Sequence, residues 1–229
     1  MKTKNQSHKC NHDLFKEESE KAFYLAGFIA ADGCIRISKT NKKINYINHR
    51  LVIKLSIKDE LHLELIRNLF DSDHQFCYET AFLSKTNSNW KDSKTVKISI
   101  TSKSIVKDLE KFNIFPRKSL NYKFPEWMIN HPLKHHFMRG YFDGDGTIYY
   151  QNNSNNIVWG LRGTLDFLQL YKTILNNECE LKTKAIPSIQ NGAGNFRVHS
   201  NVKVLKIRKF LYNNASIFME RKHNIFWSM

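Results

Sequence analysis

Two aspartates, Asp32 and Asp145, stand in matching surroundings in this 229-residue chain. The first closes the segment Leu25-Ala-Gly-Phe-Ile-Ala-Ala-Asp-Gly33, the second Met138-Arg-Gly-Tyr-Phe-Asp-Gly-Asp-Gly146. Each segment has Gly at its third position, then an apolar pair, then a small residue before Asp and Gly. Both read as helices ending at the Asp, because Gly is the expected residue just past a helix end. A carboxylate there is electrostatically misplaced, since the helix C-terminus is already negative. Two such carboxylates brought together repel unless a cation lies between them. Hard oxygen ligands of this kind favour Mg²⁺, or another divalent cation such as Mn²⁺. Asp143 has Ala30 as its counterpart, so it falls outside the repeated chemistry and is expected to be dispensable for it.

The repeat continues beyond the two segments. After the first come alternating Cys34–Ser38 and Leu51–Ile57, then helical spacing from Asp59 to Phe70 with Leu61, Leu65, Ile66 and Leu69 on one face. After the second come Thr147–Gln151, a short strand over Val158–Leu161 and a helix over Thr164–Leu175. Further strands are expected over Thr95–Ile100, Leu181–Ala185 and Asn195–His199, and further helices over Ser104–Phe112 and Val202–Leu211. The halves close on Phe115-Pro-Arg-Lys-Ser119 and Met219-Glu-Arg-Lys-His223. The chain therefore divides into an N-terminal half, 1–120, a linker, 121–131, and a C-terminal half, 132–229. Pro132 suits the first turn of the second repeated helix. Polar stretches over Lys85–Lys94, Asn152–Asn156 and Asn191–Gly194 read as a hairpin tip and loops.

Alternation along the strands separates an apolar face from a polar one. Ile35, Ile37, Leu51, Ile53, Leu55, Val96, Ile98, Ile100, Ile148, Tyr150, Leu181, Thr183, Ala185, Phe196 and Val198 form the apolar set. The wet set is Arg36, Ser38, Arg50, Lys54, Ser56, Lys97, Tyr149, Gln151, Arg162, Lys182, Lys184, Arg197 and His199. Arg and Lys donate to guanine O6 and N7 and Gln pairs with adenine, so a ribbon of this composition suits a DNA major groove.

The two segments resemble the LAGLIDADG motif of homing endonucleases, intein endonucleases and intron maturases. Gly140-Tyr-Phe-Asp-Gly-Asp-Gly146 is a typical form, and the resemblance runs from about Lys21 to Phe226. It implies an α/β (α+β) fold of two pseudo-symmetric αββαββα halves in one chain. Curved antiparallel sheets would straddle DNA, and the two motif helices would pack at the centre. Close packing there explains Gly27 and Gly140. The resemblance makes Asp32 and Asp145 metal ligands, with the backbone carbonyls of Ala31 and Gly144 as further oxygens. Lys118 and Lys222 match a lysine near the attacking water, where a cation stabilises charge developing on phosphate. Asp59 and Gly163 stand where the family places a polar residue near that water, and here the halves differ. The implied activity is metal-dependent hydrolysis of one phosphodiester per strand. At about one helical turn per half, the target is asymmetric and on the order of 20 bp. A non-cleaving intron RNA maturase and a non-cleaving DNA-binding regulator are the alternatives, and neither requires both aspartates.

Composition agrees with a nucleic-acid partner. Lys and Arg number 36 against 21 Asp and Glu, a net charge of +15 with a pI near 9.6. The 41% hydrophobic content supports a proper core and excludes global disorder. The four cysteines, Cys10, Cys34, Cys77 and Cys179, lack disulfide or zinc-knuckle spacing, and Cys10 and His12 read as surface residues. The chain reads as a monomer with no apolar run long enough for a membrane and no signal-peptide core. A reducing compartment is expected, either an organelle matrix or a bacterial or phage-host cytoplasm.

Overall fold

The computed structural model describes residues 8–39, 47–81, 93–151 and 156–227. Most of the expected hairpin tip over 85–94, and the Asn-rich loop up to residue 155, lie outside them.

The first half runs α1 (Glu20–Asp32), β1 (Gly33–Lys39), β2 (Ile47–Ser56), α2 (Glu60–Leu69), β3 (Cys77–Ala81), β4 (Ser93–Thr101) and α3 (Lys103–Asp108). The second repeats the order with α4 (Lys134–Asp145), β5 (Gly146–Tyr150), β6 (Ile157–Gly163), α5 (Leu165–Cys179), β7 (Ser188–Gln190), β8 (Ala193–Val198) and α6 (Asn201–Tyr212). It then adds α7 (Glu220–Trp227). Two four-stranded antiparallel sheets result, ordered β1-β2-β4-β3 and β5-β6-β8-β7. This is the α+β architecture of two pseudo-symmetric halves expected from the repeat.

Helices α1 and α4 form the seam. Ser19 caps α1 by accepting from the Ala22 amide at 3.2 Å, and Glu20 sits in the first turn, where the helix end favours an acid. From Ala22 to Ala30 every residue of α1 is buried, as a helix enclosed on all sides requires. The two helices cross at glycines. A Cβ on Gly27 would lie 2.0 Å from the Phe137 carbonyl oxygen, and one on Gly140 would lie 2.0 Å from that of Tyr24. Only Gly lets the backbones meet there.

Buried side chains of the sheets' inner faces join the same core as these helices: Ile35, Leu51, Ile53, Leu55, Val96, Ile98 and Ile100 in one half, Ile148, Trp159, Leu161, Phe196 and Val198 in the other. The linker is packed too. Phe124 and Met128 are buried, and Trp127 Nε1 donates to the Lys111 carbonyl at 2.7 Å. Among the described residues, no helix is long and apolar enough to cross a membrane.

Several expectations need correction. Leu181–Ala185 is not a strand, because Glu180 and Lys182 have left-handed φ values of 48° and 45° that break extended backbone. Lys182 and Lys184 are exposed on this irregular segment instead. On α2 the buried set is His62, Leu63 and Ile66, while Leu61 is 76% exposed at the helix flank. Ile37 and Tyr150 lie at outer strand ends and are exposed, whereas Val52, on the polar side, is buried. Gly33 and Gly146 follow their helices in extended backbone, φ −81° and −84°. They are needed not for a left-handed turn but because a Cβ would strike Ile29 or Phe142. Pro132 precedes the first turn of α4, which starts at Lys134.

Candidate active site

Because α1 and α4 cross at their glycines and both end at the sheets, their C-terminal aspartates come together. The approach is close: a Cβ on Gly144 would lie 2.4 Å from the Ala31 Cβ and 3.2 Å from Asp32 Oδ2. Burial, then the neighbouring Asp145, raises Asp32 to about 6. Burial likewise raises Asp145, against the pull of Lys118 and Lys222. Both carboxylates thus remain unfavourable as anions although two lysines stand beside them. That is the signature of a site short of positive charge, and it fits a divalent cation held by carboxylate oxygens.

The two lysines reach this place differently. Lys222 is only 2% exposed on α7, and its Nζ donates to the carbonyls of Phe142, Asp143 and Gly144 at 2.8, 2.6 and 3.0 Å. It therefore caps the negative end of α4. Burial holds it down at about 8, against the pull of Asp143, Asp32 and Asp145. Lys118 is 6% exposed on a 3-10 turn, Lys118–Leu120. Burial lowers it too, while Asp145 and Asp32 pull it up.

Asp59, just before α2, accepts a bidentate pair from Arg221 at 2.8 and 3.1 Å, which joins the halves beside the site. It also adds to the negative field on Asp32. Its counterpart Gly163 offers no carboxylate, so the two sides of the site differ. Around Asp145 a cleft of about 610 Å³ opens between Ser119–Lys123 and Arg162–Asp166.

Asp143 does not share in this. It is fully buried and accepts from Tyr24 Oη at 2.7 Å, Tyr212 Oη at 2.5 Å and the Met219 amide at 2.8 Å. Arg139, also fully buried, donates to Glu20 at 2.7 Å, to the Ile217 and Leu211 carbonyls and to His136. These networks tie α1, α4 and the segment before α7 together. Sequence reasoning missed both. Their one signal was a charged residue inside an otherwise apolar helix.

The polar residues of the sheets lie on the faces away from the core. Arg36, Ser38, Arg50, Lys54 and Ser56 are exposed and Lys97 half-buried. Arg36 stands directly across from Arg50, and Lys54 across from Lys97. Like charges opposite each other are destabilising unless an anion intervenes. For the second pair that anion is Glu79 on β3, which accepts from Lys54 at 2.8 Å and from Lys97, and is thereby held down at about 2. The arginine pair has no such carboxylate among the described residues. In the second half Tyr149, Arg162 and Arg197 are exposed on strands, with Gln151 and His199 just past strand ends.

A family model described as LAGLIDADG endonuclease matches residues 25–128, and the remaining half repeats the same elements. Over residues 25–128 this chain is similar to the LAGLIDADG endonucleases. Solved structures agree in fold. The homing endonuclease I-WcaI bound to its DNA recognition sequence is 16% identical, with 93% of this chain and 90% of that one covered at a TM-score of 0.62. The LAGLIDADG meganuclease I-AabMI bound to uncleaved DNA is 16% identical over 90% and 88% at 0.54. The LAGLIDADG homing endonuclease I-GzeII in complex with its DNA target is 16% identical over 93% and 89% at 0.54. No curated protein matches in sequence. The family match includes most of α1, and α4 repeats that helix in the second half, which fits a single-chain form with two motifs.

Proposed function

We propose that this protein is a site-specific double-strand DNA endonuclease that hydrolyses one phosphodiester per strand of a long asymmetric target. The observation that carries the reading is the pair of half-buried carboxylates, Asp32 and Asp145, flanked by two buried lysines between basic sheet faces. Asp32 and Asp145 would hold Mg²⁺ or Mn²⁺, with the Ala31 and Gly144 carbonyls as further oxygens. Such an ion, when bound, supplies a nucleophilic water near neutral pH and offsets charge on the phosphate. The Gly144 carbonyl already accepts from Lys222, which leaves its second lone pair.

The chain's own groups divide the remaining work. The Lys118 ammonium donates no hydrogen bond to another described residue, although its carbonyl accepts from the Asn121 amide, so the ammonium is available to orient water and stabilise charge developing on phosphate. Lys222 neutralises the end of α4 and fixes where Asp145 sits. Arg36 and Arg50 supply the like-charged pair that a phosphate or a guanine edge relieves. Both halves come from one chain, so the active unit is a monomer. Its four cysteines are free, as suits a reducing compartment.

The test is cleavage of a randomised DNA library with Mg²⁺, read by sequencing the ends. The expected result is cuts in both strands of one asymmetric sequence on the order of 20 bp. Absence of cutting, with tight binding to intron RNA, would overturn the reading in favour of a maturase.

A further inference from the structure

Well away from the carboxylate pair, the N-terminal segment lies against the turn that follows α2. Two backbone hydrogen bonds hold it there: the Asn11 amide donates to the Phe70 carbonyl at 2.8 Å, and the Asp73 amide to the Lys9 carbonyl at 3.2 Å. Leu14 and Phe15, just beyond, are buried in the core. This framework brings together three residues that the chain places far apart. His8 Nδ1 lies 3.1 Å from Asp73 Oδ1 across a sequence separation of 65. The His8 and His74 rings stack with centroids 4.5 Å apart. One ligand atom from each of His8, Asp73 and His74 lies within 4.8 Å of the other two.

We propose that His8, Asp73 and His74 form a binding site for a first-row divalent metal, Zn²⁺ by chemistry, which staples the N-terminal segment to the α2–β3 turn. Zinc takes imidazole nitrogens and carboxylate oxygens at about 2.0–2.2 Å in a tetrahedron, whose edges are then about 3.3 Å. His8 and Asp73 already stand at that spacing and His74 offers a nitrogen within 4.8 Å of both, so side-chain movement completes the set. Two imidazoles and one carboxylate favour zinc over magnesium, which prefers oxygen throughout. Ser72 Oγ shares a 2.7 Å hydrogen bond with His74 Nδ1 and orients that ring, the outer-shell support that ligating histidines usually have. His8 and Asp73 are exposed, which leaves a fourth position open to water.

An ordinary surface His–Asp pair would have no use for the second imidazole. Cys10 is close by but outside the trio.

The test is titration of the full-length protein with Zn²⁺ against a chromophoric chelator, together with thermal melting. The wild type should bind one equivalent, and excess Zn²⁺ should raise its Tm by about 5 °C. Cys10→Ser and the double variant Asp32→Asn/Asp145→Asn should retain that equivalent, and excess Mg²⁺ should not displace it. His8→Gln and His74→Gln, both at accessible positions, should remain folded by circular dichroism and bind at least tenfold more weakly. Zinc binding that survives both histidine variants, or vanishes with the Asp32/Asp145 pair, would overturn the proposal, as would no stoichiometric binding in the wild type.

Discussion

Asp32 carries a tension that can be measured without any substrate. Its pKa is raised from 3.8 to about 6, first by burial and then by Asp145. Between those values the folded protein holds a proton that the unfolded chain has released. Stability from this group is therefore fully present below about pH 4, falls as pH rises through about 6, and stays low at neutrality. Asp32→Asn removes the half-buried charge, so the metal-free variant should melt a few degrees above the wild type at pH 7, with a flatter pH dependence between 4 and 6. Added Mg²⁺ should narrow the gap. Differential scanning calorimetry reads this, and a lower Tm for the variant at pH 7 would contradict it. Asp143 is also raised by burial, but its carboxylate is held by hydrogen bonds. Three donors converge on it, and an amide nitrogen in place of one oxygen would face a donor. Asp143→Asn should cost roughly 2–4 kcal/mol in urea unfolding and lose activity through folding, not chemistry. An unchanged midpoint would refute that role. Asp32 and Asp145 were legible in the sequence because the repeat marks them. The structural network of Asp143 was hidden because its three partners come from positions that no local pattern connects. The Asp59–Arg221 pair was likewise hidden, since only the packing of the two halves creates it.

At the scale of elements, the α1–α4 crossing holds the site together, and the glycines decide it. Ala is the better helix former by about 1 kcal/mol. At Gly27 that gain is outweighed, because the new Cβ would meet backbone, which cannot turn aside. Gly27→Ala should therefore destabilise by about 3 kcal/mol or more, measured by denaturant unfolding, and should reduce cleavage because the two aspartates separate. A neutral or stabilised variant would mean that the helices do not cross there. Motif helices, strand alternation and the order of elements could all be read from period and repeat. The segment over 181–185 could not. Its alternation of apolar and basic residues is that of a strand, and the exposure still alternates, but left-handed Glu180 and Lys182 keep it from pairing. The mistaken face of α2 has a simpler origin: several offset stripes of leucine fit one helix, and contact with the sheet and α1 selects among them.

For the whole molecule, a charge of +15 sets the long-range field, while Glu79 tempers it locally by occupying Lys54 and Lys97. Affinity for the target should fall by orders of magnitude between low and moderate salt as counterions are released. Glu79→Gln frees both lysines, so it should tighten binding at low salt and steepen the salt slope. Fluorescence anisotropy over a salt series checks both, and a slope equal to that of the wild type would show that these lysines do not meet phosphate. The central claim is that Asp32 and Asp145 together form the cutting centre and do not bind the target. The most direct test is cleavage of a supercoiled plasmid carrying the selected target by Asp32→Asn and by Asp145→Asn, with binding measured in parallel. Each variant should bind the target at least as tightly as the wild type, because a negative charge near phosphate is lost. Each should fail to make linear DNA, and any nicks should fall on different strands in the two variants. Linear product at near wild-type rate from either variant would contradict the account.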